Sequence, residues 1–91
     1  MERVNQLPRA RRTGVRTLEV GVETLVLDEQ SGQIHQLNAT ASFVWRRCDG
    51  ASSVVEIAGL LTREFDVDPA TAAEDVARVI TQLEELKLLY F

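Results

Sequence analysis

Residues 33–50 read QIHQLNATASFVWRRCDG, and a change of period inside this stretch decides the fold. Gln33–Leu37 (QIHQL) follows the turn cluster Gln30-Ser31-Gly32 and reads as a short strand. From Asn38 the apolar residues fall differently. Ala41, Val44, Trp45 and Cys48 stand at i, i+3, i+4 and i+7, which is one face of a helix. Asn38 is a good N-cap, because its side-chain oxygen can accept a first-turn backbone N–H that no carbonyl reaches. Asp49-Gly50 closes the helix, since glycine takes the left-handed conformation found at helix ends without penalty. A strand therefore leads directly into the helical half of the chain.

Upstream, Val15–Val20 and Glu23–Asp28 (ETLVLD) read as strands separated at Gly21, the second joined to Gln33–Leu37 by a hairpin. Downstream, Ser53-Val54-Val55-Glu56 is a capping box, with Val54, Ile57, Ala58, Leu61 and Phe65 as the apolar stripe behind it. Asp68-Pro69 opens a third helix, proline standing where a missing N–H costs nothing. Its buried face is Ala72, Val76, Val79, Ile80, Leu83 and Leu86, and residues 88–91 form a short apolar tail. The order predicts an α+β domain, a three-stranded antiparallel sheet followed by three helices, with a winged-helix-like arrangement. The expected core is Leu25, Leu27, Ile34, Val44, Trp45, Ile57, Leu61, Phe65, Val76, Ile80 and Leu83. Residues 1–13 are polar and arginine-rich, which predicts a flexible basic arm ahead of a domain over residues 14–91.

Charge divides at the same boundary. Residues 1–16 carry five arginines against Glu2, whereas residues 17–91 carry thirteen acidic and five basic side chains. The folded part is acidic and would repel a phosphate backbone, so no nucleic-acid partner is expected. The single cysteine, Cys48, excludes an internal disulfide. No apolar run approaches the length of a membrane span, so the expected location is cytoplasmic, with no membrane partner. Catalysis needs a nucleophile with a base, paired carboxylates, a metal or a cofactor. One histidine and one cysteine cannot build a zinc site in a monomer, and no glycine-rich phosphate loop is present. His35 reads as a strand residue and Cys48 as a small buried hydrophobe. No catalytic residue, metal or cofactor is expected, and the chain reads as a binding protein rather than an enzyme.

A sheet this small must leave edges, and an open edge either accepts another strand or is covered. Gln33–Leu37 lacks proline and lysine, the usual edge blockers. From periodicity alone it is either an acceptor for an extended peptide or a hairpin strand covered by the N-terminal arm. A homodimer through an exposed edge or a swapped arm also stays open.

One ordered set of residues narrows this. Leu37-Asn38-Ala39-Thr40-Ala41-Ser42-Phe43-Val44-Trp45 is followed by Cys48-Asp49-Gly50 and Ser53-Val54-Val55-Glu56-Ile57. Phe65-Asp66-Val67 and Asp75-Val76, Leu83 and Leu88-Leu89 come after them. From about Gly14 to Leu89 the chain resembles the PqqD family, small proteins named for pyrroloquinoline quinone biosynthesis. The resemblance implies a RiPP recognition element, a peptide chaperone that holds the leader of a ribosomally made precursor peptide. The leader would add to the third strand, here Gln33, Ile34, His35, Gln36 and Leu37, and lie against the third helix at Asp75, Val79, Gln82 and Leu86. The implied partners are that precursor peptide and a modifying enzyme, such as a radical SAM protein, or a leader peptidase or cyclase. The 37–57 signature itself caps and packs two helices, so it marks the fold rather than the binding site. The strand region 23–37 is closer to relatives serving other peptide pathways than to the founding quinone-pathway members.

Two other readings are carried beside it. A winged-helix DNA-binding regulator would need several basic or amide side chains on one helix face. The second helix offers Arg63, and the third offers Arg78, Gln82 and Lys87 among its acids. A scaffold that docks onto another protein without peptide cargo is the third reading.

Overall fold

The computed structural model describes residues 5–91. Its elements in chain order are β1 (Arg9–Ala10), β2 (Val15–Val20), β3 (Glu23–Asp28), β4 (Gln33–Leu37), α1 (Ala39–Arg47), α2 (Val54–Phe65), α3 (Pro69–Glu85) and β5 (Leu89–Tyr90). Strands β2, β3 and β4 form an antiparallel sheet in that order, with β3 at the centre, and β1 pairs with β5 in a separate two-stranded unit. The α+β fold read from the sequence, three strands and then three helices, is the fold observed.

Local chemistry sets the helix boundaries. The Asn38 side chain accepts the Ala41 N–H at 2.9 Å. Ser53 Oγ accepts the Glu56 N–H at 3.2 Å while Glu56 accepts the Ser53 N–H at 2.7 Å, so the capping box is closed in both directions. Asp68 accepts the Thr71 N–H at 2.7 Å, with Pro69 in the first turn. These hydrogen bonds satisfy donors that every helix start leaves open. The β2–β3 hairpin closes through two residues, with Gly21 at φ +63°, as the first position of a type II′ turn requires.

The helices pack together around Trp45, Ile57, Leu61, Val76, Ile80 and Leu83, all nearly inaccessible to solvent. They cover only one face of the sheet, and that face is not the one the core expectation assumed. Val26 is fully buried between Thr24 and Asp28, whereas Leu25 and Leu27 are half-buried on the opposite side. Ile34, expected in the core, is 66% exposed beside them. The cause is covalent. Leu37 runs directly into α1 and must face the helices, and its cross-strand partner is Thr24. Side chains alternate along a strand, so this fixes Thr24, Val26 and Asp28 inward and Leu25 and Leu27 outward. Phe65 also departs from expectation: it sits 37% exposed at the end of α2, edge-on to Phe43 with ring centroids 5.7 Å apart.

The arm expected over residues 1–13 is built into the fold from residue 6 onward, and residues 1–4 lie outside the described residues. Pro8 and Ala10 are buried. Ala10 N–H donates to Cys48 O at 2.7 Å, Arg11 N–H to Leu88 O at 2.8 Å, and Val54 N–H to Gln6 O at 3.1 Å. The segment thus joins the ends of α1 and α3: the buried Leu88 donates its N–H to Leu83 O, and its carbonyl accepts from Arg11. A two-residue strand has no period to read, which is why composition alone suggested a free arm.

Candidate functional site

Strand β4 bonds to β3 on one side, and among the described strands nothing pairs with its other edge. Which of its backbone groups face outward follows from register. Val20 and Glu23 flank a two-residue loop and therefore form a hydrogen-bonded pair. Alternation then turns Glu23, Leu25 and Leu27 toward β2, and the bond from Glu29 N–H to Gly14 O at 2.9 Å continues that series. Thr24, Val26 and Asp28 are left to bond β4, through Leu37, His35 and Gln33. Ile34 and Gln36 accordingly point their N–H and C=O groups away from the sheet.

Helix α3 lies beside this edge and runs antiparallel to it. Between them is a cleft of about 500 Å³. Of the residues expected at the site, Ile34, His35, Gln36 and Leu37 line it from the strand, and Val79, Gln82 and Leu86 line it from the helix. Gln33 lies at the hairpin end, in an adjoining hollow of about 280 Å³ with Arg11, Asp28 and Lys87. Asp75 does not line either space; its carboxylate pairs with the Arg78 guanidinium on the same helix. Sequence reasoning missed Asn38, Ala41, Leu83 and Glu85, which also line the cleft. Ala41 and Leu83 carried a signal, since both fall on helix apolar stripes, but only the crossing of α1 and α3 under β4 brings them to the surface of a groove.

The two ends of the groove differ in character. Toward the start of α1 it is floored by Leu37, Ala41, Val79 and Leu83, all buried or nearly so. His35, half-buried, faces the groove at mid-strand, on the same sheet face as Val26. At the hairpin end Arg11 donates to Asp28 at 2.5 Å and to Gln30 Oε1 at 3.1 Å. Burial pushes the Asp28 carboxyl up, but hydrogen bonds from the Gln30 N–H, Arg11 and Ser31, with the Arg11 charge, outweigh it and hold the group below its ordinary value. On the far side of α1, Cys48 is fully buried and its thiol is pushed up to about 12, mainly by desolvation. Among the described residues no three His, Cys, Asp or Glu side chains converge as a metal site, and no helix is long and apolar enough to cross a membrane.

An open strand edge over an apolar groove can take up an extended chain: the edge supplies main-chain bonds and the groove receives alternate side chains. The comparisons with known proteins agree with this architecture. A PqqA binding protein from Xanthomonas campestris pv. campestris (strain B100) is 37% identical over 57 residues, 63% of this chain. The match spans 62% of that protein's length. Among solved structures, a lasso peptide synthetase B1 complexed with the leader peptide superposes with a TM-score of 0.79 at 28% identity, over 93% of this chain and 99% of that one. The PqqD truncation of Methylobacterium extorquens PqqCD, a functional and stand-alone RiPP recognition element, gives 0.73 at 28% identity, over 92% and 88%. TbiB1 in complex with the TbiA(beta) leader peptide shares the fold, with a TM-score of 0.78 at 23% identity over 89% and 93%. The family model for coenzyme PQQ synthesis protein D (PqqD) matches residues 23–89, which hold β3, β4, all three helices and both walls of the cleft, and this chain belongs to the PqqD family.

Proposed function

We propose that this chain is a RiPP recognition element, a peptide chaperone that binds the leader of a ribosomally made precursor by strand addition to β4. The observation that carries the reading is the unpaired edge at Ile34 and Gln36, set directly above the apolar groove of α3. Support comes from two relatives at 28% identity, one solved with a leader peptide and one a stand-alone recognition element, and from the curated relative named for binding PqqA. In this reading Gln33–Leu37 supply the acceptor strand, and Val79, Gln82 and Leu86 receive the side chains that point inward. Asp75, held by Arg78 outside the cleft, has no direct part. The domain works by presenting the leader, in the cytoplasm, to a separate modifying enzyme such as a radical SAM protein, or to a leader peptidase or cyclase. It contributes no catalytic group: its one thiol is buried and protonated at neutral pH. The DNA-binding alternative is disfavoured by α3, whose exposed residues include Glu74 and Glu85.

The test is a titration of isotope-labelled protein with synthetic leader peptides encoded beside its gene, followed by amide NMR. Binding should shift the signals of residues 33–37 and of Val79 to Leu86. A leader that binds while leaving this strand unperturbed refutes strand addition.

A further inference from the structure

The cleft and the polar hollow at the hairpin end are one trough: Glu85 and Leu86 line both. Along β4 the inward side chains run Leu37, His35, Gln33, so the trough grades from apolar at the α1 end to polar at the hairpin end. Glu85 stands where the two characters meet. It is exposed, and its carboxylate lies in the last turn of α3, the negative end of the helix dipole. Helix C-termini ordinarily carry a basic side chain that offsets this potential, but the last turn of α3 has none. No cation is placed on the cleft side of Glu85 among the residues that line the cleft. In the outer hollow Arg11 is committed to Asp28 and Gln30, and Lys87, just past the C-cap, shares that hollow with Glu85 but does not reach the cleft.

We infer that Glu85 is a specificity-determining residue of the trough and selects leaders with a lysine or arginine on the inward face of the added strand, next to an apolar anchor. The inference rests on strand addition at β4 and adds to it a chemical rule for the peptide. The spacing follows from the added strand. Side chains of an added strand alternate, so its successive inward residues are i and i+2, about 7 Å apart, one over the apolar floor and the next toward Glu85. The apolar residue lies over Leu37, Val79 and Leu83, and the cation lies toward the hairpin.

Three acetylated, amidated octapeptides test this, each with leucine at position 4 and threonine elsewhere, and with lysine, glutamine or glutamate at both positions 2 and 6. Placing the variable residue on both sides of the leucine makes the result independent of strand direction. Binding is followed by the amide shifts of residues 33–37 at low salt, with wild type and Glu85→Gln. The lysine peptide should bind roughly three- to tenfold tighter than the glutamate peptide, as for a largely solvated charge contact. The preference should collapse in Glu85→Gln and in high salt. Equal binding of all three at β4, or a lysine preference unchanged in Glu85→Gln, overturns the role of Glu85 and leaves strand addition standing. Failure of every peptide to shift β4 overturns both.

Discussion

Replacing Gln36 with proline isolates the backbone contribution to the proposed grip. The register of β3 assigns the Gln36 N–H to the open side of the sheet, so proline there breaks no bond to β3. Proline is tolerated on edge strands in this orientation. Its cost to the fold is small, including loss of the exposed hydrogen bond from Gln36 Nε2 to Glu23 Oε1 at 2.7 Å. For an added peptide the loss is larger. One N–H···O bond disappears, worth about 0.5–1.5 kcal/mol net, and the peptide carbonyl left facing the ring costs about 1–3 kcal/mol if water is excluded. Together these weaken binding by roughly tenfold to a thousandfold. Calorimetric titration of Gln36→Pro against Gln36→Ala separates the effect from side-chain loss, because alanine keeps the N–H and should bind within about threefold of wild type. His35→Pro provides the opposite control. Its N–H belongs to the Val26 pair, so this variant should lose fold stability, read as a lower thermal midpoint. A well-folded Gln36→Pro that binds leader as tightly as Gln36→Ala would show that the peptide does not pair with this edge.

Three further outcomes follow from the same structure. Ser53→Ala removes one half of the capping box and should lower unfolding free energy by about 1 kcal/mol, measured by urea denaturation with unchanged slope. Asp28 and Asp68 both have carboxyls held below the ordinary 3.8, so their stabilisation is complete above that value and is lost as pH falls through the lower folded values. Thermal midpoints should therefore be level from pH 7 to pH 5 and drop below about pH 4, with a shallower drop in Asp28→Asn. Cys48, buried with its thiol raised to about 12, should resist iodoacetamide at pH 8 in the native protein and react readily in urea. Rapid native labelling would mean that the end of α1 opens far more often than its packing implies.

The parts of this fold that could be read in advance are those fixed by chemistry within a few residues. Asn38, Ser53 with Glu56, and Asp68 with Pro69 each announce a helix start locally, and each cap is present in the structure. The inward face of β3 was not legible, because ETLVLD offers Leu25 and Leu27 on one side against Val26 on the other. Counting apolar residues favours the wrong side. Only the junction of Leu37 with α1 decides it, through a cross-strand pair thirteen residues away in sequence. The site divides the same way. The edge strand was visible as a run without proline or lysine, whereas Glu85 enters the cleft because α3 lies beside β4, and Asn38 because the β4–α1 junction forms one end of it. Asp75 was placed there by one-turn spacing from Val79, but helical spacing does not report that Arg78 holds its carboxylate elsewhere.

The β1–β5 pair has a consequence for protein architecture. Arg9 and Tyr90 are cross-strand partners, so the path into the domain and the path out of it stand side by side, about 5 Å apart. A unit with adjacent entry and exit points can be set into a loop of a host protein, or joined to a neighbour at either end, without prying the host open. Modularity of this kind makes a recognition domain portable, since one receptor for an extended segment can be combined with many catalytic bodies. It also sets a rule for engineering: linkers should be attached outside residues 6 and 90, because cutting closer would release the tail that closes the end of α3.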